Sequence, residues 1–184
     1  MNREKALELL NTYISNQNLI KHSLATESCM RSLASRFGED PEKWGLCGLI
    51  HDIDYEVVNG DMKRHSLEGV RILKKHGFDD DICQAVLSHN EAHGVVPASR
   101  MAKALYCVDP ITGLIVAATL VLPSKKISHL KPENLLNRFK EKSFAKGVRR
   151  EVILKCKEYL DIELETFSDI CIKAMNTIAE DLGL

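Results

Sequence analysis

Apolar positions along the 184-residue chain recur at steps of three and four, as in Ala6, Leu9 and Leu10 or Leu105, Val108 and Ile111. That is the period of a helix with one face buried, and the alternation of a half-buried strand is almost absent. The pattern predicts an all-α protein. It places helices near residues 2–15, 19–37, 41–51, 65–76, 79–89, 99–108, 110–122, 132–140, 147–160 and 163–181. Punctuation supports several of these: Gly38 ends the second, Asp40-Pro41 gives the third an N-cap and a first-turn proline, Gly77 closes the fourth, and Asp79 is placed to cap the fifth. Pro110 disfavours helical backbone at Asp109, so the apolar stretch from Met101 to Leu122 reads as two helices or one kinked helix, with Asp109 at an irregular position.

No internal repeat, low-complexity run or linker interrupts this pattern. The longest irregular segments are 53–64, 90–98 and 123–131. The expectation is one domain over 1–184, a helical bundle with its chemistry within about 19–122 and a C-terminal helical extension over 123–184. Hydrophobic residues at 45%, charged residues at 28% and a formal net charge of -1 indicate a globular chain without the basic excess of a nucleic-acid binder. Nucleic acid is therefore not the expected partner. No apolar run approaches the ~20 residues of a membrane span, and MNREKALELLNTYISN lacks the apolar core of a signal peptide. The chain is expected to be cytoplasmic and away from membranes. Its six cysteines lack any CxxC pair and lie among apolar residues, which reads as reduced core thiols.

One stretch breaks the run of ordinary helices. GLIHDIDY passes from small and apolar residues into adjacent metal ligands, His51 and Asp52, at the predicted end of the third helix. Consecutive helical side chains point about 100° apart, but at a helix end the backbone is free to turn both toward one ion. Gly45, Cys47 and Gly48 before them are small enough for close packing. His22, His65, His89 and Asp109 lie on or beside the neighbouring helices. Imidazole and carboxylate without thiolate suit a divalent iron, manganese, cobalt, nickel or zinc ion and argue against a structural zinc site.

These residues resemble the HD-domain metal-dependent phosphohydrolases of the HDIG type, whose pattern is H…HD…D. The matching stretches are KHSLATE with His22, LIHDIDY with His51 and Asp52, and YCVDPITG with Asp109. RHSLEGV with His65 and LSHNEAHG with His89 stand where members with two metals carry further histidines, so the chain is similar to the binuclear subgroup that includes bacterial HD-type diadenosine tetraphosphate hydrolases. The resemblance implies one ion on His22, His51 and Asp109, a second on His65 and His89, and Asp52 bridging them. It also implies hydrolysis of a phosphate ester or phosphoanhydride in a small molecule, a nucleotide or dinucleoside polyphosphate, with His51 and Asp52 as the catalytic doublet. Asp54 stands where cyclic-dinucleotide phosphodiesterases usually have lysine, and their Gly-Tyr-Pro signature is missing. Both departures point away from that activity.

Glu68, one turn after His65, is a candidate for positioning water, with a solvated surface role as its alternative. Lys125 and Lys126 after Pro123, and Lys146 and Arg149 in the basic run RFKEKSFAKGVRR, are candidates for gripping phosphate. The last helices read as packing. Two other functions remain open at this stage: a di-iron oxygenase built on the same ligand types, and a nucleotide- or metal-binding module without turnover.

Overall fold

A computed structural model describes residues 1–184. It forms ten α-helices and no strand: α1 Arg3–Tyr13, α2 Gln17–Phe37, α3 Pro41–Ile50, α4 Leu67–Lys75, α5 Asp80–His89, α6 Arg100–Leu120, α7 Pro132–Lys140, α8 Arg150–Leu160, α9 Leu164–Asn176 and α10 Ala179–Leu182. Single 3-10 turns follow α5 and α6, at Glu91–His93 and Ile127–His129. The all-α HD-type bundle read from the sequence is the observed architecture.

Local chemistry explains most helix starts. The side chains of Asn2, Asn16 and Ser99 accept backbone N–H groups in the first turns of α1, α2 and α6, and Asp40 accepts those of Glu42 and Lys43 in α3. Asp79 differs from its expected role. It sits at the N-cap of α5 without making the capping bond, because its carboxylate pairs instead with Lys43 at 3.2 Å.

Two boundaries depart from the pattern. First, α6 runs unbroken through Pro110, with Asp109 inside the helix. A proline there costs about 3 kcal/mol in an isolated helix, but thirteen of the 21 residues of α6 are buried, and tertiary burial of that extent outweighs the local penalty. The merged helix is long and apolar enough to cross a membrane, and most of it is buried inside the protein instead. Second, the expected helix over 163–181 divides into α9 and α10. The Thr177 hydroxyl caps the Ala174 carbonyl at 2.7 Å, and the β-branched pair Thr177-Ile178 forms the break.

The central helices α2 and α6 carry the packing. α2 lies along α3 and against α6 and α9, while α6 also packs on α5 and α8, and a continuous apolar core extends from Ala6 to Leu182. At Gly48 the approach of α2 and α3 is so close that a Cβ would stand 2.9 Å from backbone atoms of Thr26 and Glu27. Buried Glu27 pairs with Arg3 at 2.7 Å and Arg31 at 2.9 Å, tying α1 to α2 near the same contact. All six cysteines are free and buried, as their apolar surroundings predict. The result is a rigid wall of α2, α3, α5 and α6 whose ends and faces meet at one place.

Candidate metal centre

Five segments converge there. His22 projects from the second turn of α2, His51 and Asp52 end α3, His65 precedes α4, His89 is the last residue of α5, and Asp109 lies midway along α6. After Ile50 the chain leaves the helix through turns, which brings His51 and Asp52 to one point as their adjacency requires.

Asp52 is the hub. Its Oδ1 lies 3.4 Å from His51 Nε2, 3.3 Å from His65 Nε2 and 3.3 Å from His89 Nε2, while Oδ2 lies 3.6 Å from His22 Nε2. Asp109 Oδ1 stands 3.2 Å from His22 Nε2 and 3.8 Å from His51 Nε2. The donors fall into two groups that share Asp52: His22, His51 and Asp52, and Asp52, His65 and His89.

Each imidazole is anchored through its other nitrogen. His51 Nδ1 donates to the Gly48 carbonyl at 2.8 Å and His89 Nδ1 to the Val86 carbonyl at 2.5 Å, the same bond to the residue three back in both helices. His65 Nδ1 donates to Asp54 Oδ1 at 2.9 Å, and His22 Nδ1 to the Thr112 hydroxyl at 3.0 Å. With Nδ1 carrying the proton, all four Nε2 lone pairs are free to face Asp52. Such outer bonds fix the tautomer and orientation of metal-binding histidines, so the residues present fit divalent ions.

The electrostatics agree. Burial opposes ionisation of Asp52, but the His51 charge and hydrogen bonds from His65 and His89 overcome it and hold the carboxyl well below the usual range. Burial likewise opposes charge on Asp109, and hydrogen bonds from His22 and His51 keep it ionised. For His51 burial disfavours the cation, yet Asp52 and Asp109 raise its pKa to about 9. His65, desolvated but facing Asp52 and Asp54, rises to about 10. Without ions the cluster holds protons where the carboxylates demand positive charge.

Asp54, which the sequence marked only as a departure from lysine, supports this centre. Fully buried, it accepts His65 Nδ1–H on one oxygen and the backbone N–H groups of Ser66 and Gly69, each at 2.8 Å, on the other. Gly69 permits this approach, since a Cβ there would sit 3.3 Å from the carboxylate. Ser66, at φ 68°, takes a strained conformation between His65 and α4 that those bonds hold in place. Asn90 and His93 add two donors to the His65 carbonyl, at 3.1 and 2.6 Å. Asp54, Thr112 and Asn90 escaped the sequence reading; the one signal available was a carboxylate two places after the HD doublet.

The cluster opens into a cavity of about 430 Å³, lined also by Leu19, Tyr55, Met62, Asn90, Val148 and Arg149. Among the proposed phosphate contacts only Arg149 reaches it; Lys125, Lys126 and Lys146 are exposed elsewhere. Glu68 pairs with Arg71 at 3.1 Å and does not line the cavity.

The family described as HD domain matches residues 19–112, half of the chain and the whole of this cluster. The chain belongs to the HD domain family. Relatives include ribonuclease Y of Lawsonia intracellularis, 30% identical over an alignment of 141 residues that covers 74% of this chain and 26% of that protein. Ribonuclease Y of Nitratidesulfovibrio vulgaris strain DP4 is 30% identical over 140 residues (74% and 27%), and that of Fusobacterium nucleatum subsp. nucleatum 28% over 139 (74% and 27%). The chain spans about a quarter of the length of these relatives. Family and relatives together support a metal-binding hydrolase. Because the relatives are ribonucleases by name, they also weigh, though weakly, against the expectation that nucleic acid is excluded as a partner.

Proposed function

We propose that this HD domain is a metal-dependent phosphohydrolase that cleaves a phosphate ester or phosphoanhydride of a nucleotide, a dinucleoside polyphosphate or a short RNA end. One observation carries the reading: four histidine Nε2 atoms, each oriented by a bond at Nδ1, face a single carboxylate at the base of an open cavity. His22, His51 and Asp109 would hold one divalent ion, His65 and His89 a second, with Asp52 between them. Divalent ions in such a setting supply acidified water as the nucleophile and neutralise developing charge on a phosphoryl oxygen.

The chain's own residues do the rest. Asp52 and Asp109 provide the negative charge that concentrates cations, and the Nδ1 bonds keep the imidazoles from turning away. Tyr55 stacks edge-on against His65, with ring centroids 5.5 Å apart, and lines the cavity wall. The cavity volume lies within the range of small-molecule sites. No serine or cysteine nucleophile is needed, which agrees with a cluster built only of imidazole and carboxylate.

The test is product release from nucleotides, dinucleoside polyphosphates, simple phosphate esters and a short RNA. The protein is loaded anaerobically with iron or with manganese, and Asp52→Ala runs alongside. Turnover by wild type and none by the variant establishes the activity and names the substrate. Oxygen consumption without phosphate chemistry would assign an oxygenase, and tight binding without product a sensor module.

A further inference from the structure

The run RFKEKSFAKGVRR divides into residues with different tasks. Arg150 spends its guanidinium on backbone carbonyls: Nε donates to Phe139 at 2.8 Å, and the terminal nitrogens to Glu141 at 3.2 Å, Phe144 at 2.5 Å, Ala145 at 3.4 Å and Val148 at 3.3 Å. These carbonyls belong to the end of α7 and the turns before α8; those of Glu141 and Ala145 also accept the N–H groups of Phe144 and Val148, and Arg150 gathers all five. A connecting segment gathered around one cation is fixed in shape, and so is the direction of its neighbour. That neighbour, Arg149, leans over the mouth of the metal cavity.

Arg149 is held there by two single bonds. One terminal nitrogen lies 3.3 Å from Asp109 Oδ2, the oxygen turned away from His22, and the other lies 3.1 Å from Glu91, which also accepts the Tyr106 hydroxyl. Neither contact is the two-bond fork that makes arginine–carboxylate pairs strong, the pair is part-exposed, and Nε has no partner. Asp109 is also a proposed ligand. With a cation held at Asp109, that carboxylate's hold on Arg149 would weaken, and the guanidinium would keep free donors above the site.

We propose that Arg149 is the phosphate-recognition residue of this centre and that Arg150 is the positioning residue that fixes it. The inference rests on the metal-dependent reading above and assigns a residue that reading does not require. The ligand is a phosphoryl group carrying at least one free anionic oxygen, which the planar guanidinium meets with paired N–H donors while its other oxygens face the Asp52 cluster.

The test uses manganese-loaded full chain and inorganic phosphate as probe, with metal content and calorimetric affinity measured for wild type, Arg149→Ala, Arg149→Lys, Arg150→Lys and the Arg149→Ala/Arg150→Lys double variant. Arg149→Ala is expected to keep its metal and weaken phosphate binding at least about tenfold. Arg149→Lys should fall between, retaining charge without the fork. Arg150→Lys should weaken phosphate binding, expose Phe139 or Phe144 to chymotrypsin and keep its metal. The double variant should bind no more weakly than Arg149→Ala, the signature of one residue acting through the other. Unchanged phosphate affinity in Arg149→Ala overturns the inference alone, and metal loss in that variant overturns it by showing that Arg149 serves Asp109. Unchanged affinity in Arg150→Lys removes the positioning role. Wild type that holds manganese but binds no phosphate overturns both the inference and the phosphohydrolase reading.

Discussion

Asp54 Oδ1 accepts the Nδ1 proton of His65 at 2.9 Å, and its second oxygen is taken up by two backbone N–H groups at the start of α4. Every lone pair used there faces a donor, so the carboxylate dictates which His65 nitrogen carries the proton. Asp54→Asn keeps the shape and breaks this logic. The amide oxygen satisfies Ser66 and Gly69, and the NH2 group then faces His65 Nδ1, forcing the proton onto Nε2 where a cation should bind. The variant should fold and lose roughly 10–100-fold in affinity for one ion, the His65/His89 one, with the other retained. Metal titration resolves the two; affinities for both ions unchanged from wild type remove Asp54 from this role.

The shared position of Asp52 sets the stoichiometry. His65→Ala or His89→Ala should lower bound manganese from two equivalents to one, because each removes a donor from one group only. Asp52→Ala removes a donor common to both and should abolish retention. Elemental analysis after desalting checks this, and two equivalents in either histidine variant contradicts the two-ion arrangement.

The pH dependence of stability should differ with and without metal. In the metal-free protein His51 and His65 titrate at about 9 and about 10, above the ordinary histidine value of ~6.5. Groups raised in the folded state contribute stability that is fully present below the unfolded pKa and lost as pH climbs through the folded one. Metal-free protein should therefore lose stability from about pH 6.5 to about 10. Ions require neutral imidazole, so binding expels those protons and the metal-dependent gain in stability grows over the same range. Buried thiols such as Cys47, pushed up by burial, weaken both forms alike and cancel in the difference. Urea midpoints with chelator and with manganese at three pH values give that difference; a gap that does not widen with pH contradicts the protonated cluster.

Gly48 holds two ligands at their distance through backbone contact. Gly48→Ala places a methyl group 2.9 Å from the α2 backbone, which has no flexible side chain to yield, and should cost about 1–3 kcal/mol. The α2–α3 separation also sets the distance between His22 and His51, so manganese retention should fall with it. Urea unfolding and metal content on one preparation test both effects, and a stable variant with full metal content removes the constraint.

Much of this was legible in the chain because helical periodicity and metal ligation are both spacing rules. The 3.6-residue pattern located the helices, and the H…HD…D order with the two further histidines of the binuclear members singled out six side chains that the fold brings to one point. What the sequence hid depends on contacts between distant segments. Pro110 reads locally as a break, and only the burial of α6 on several sides shows why the helix continues. Glu68 lies one turn from His65 but pairs with Arg71, since α4 carries it away from the cavity. Asp54 looked like a missing lysine because its partners, Ser66 and Gly69, are brought to it by the turns between α3 and α4. In the basic run, charge alone could not separate Arg149, aimed at the cavity, from Arg150, folded back on its own loop, or from Lys146 in solvent.

The central claim is that ions held around Asp52 do phosphoryl chemistry. The most direct measurement follows hydrolysis of the best substrate from the panel while manganese is titrated into chelator-treated wild type and Asp52→Ala. The account predicts no hydrolysis by metal-free protein, a rise to a plateau at two equivalents for wild type, and a flat line for the variant. Hydrolysis that persists in the chelated protein, or that Asp52→Ala performs as well as wild type, would contradict it.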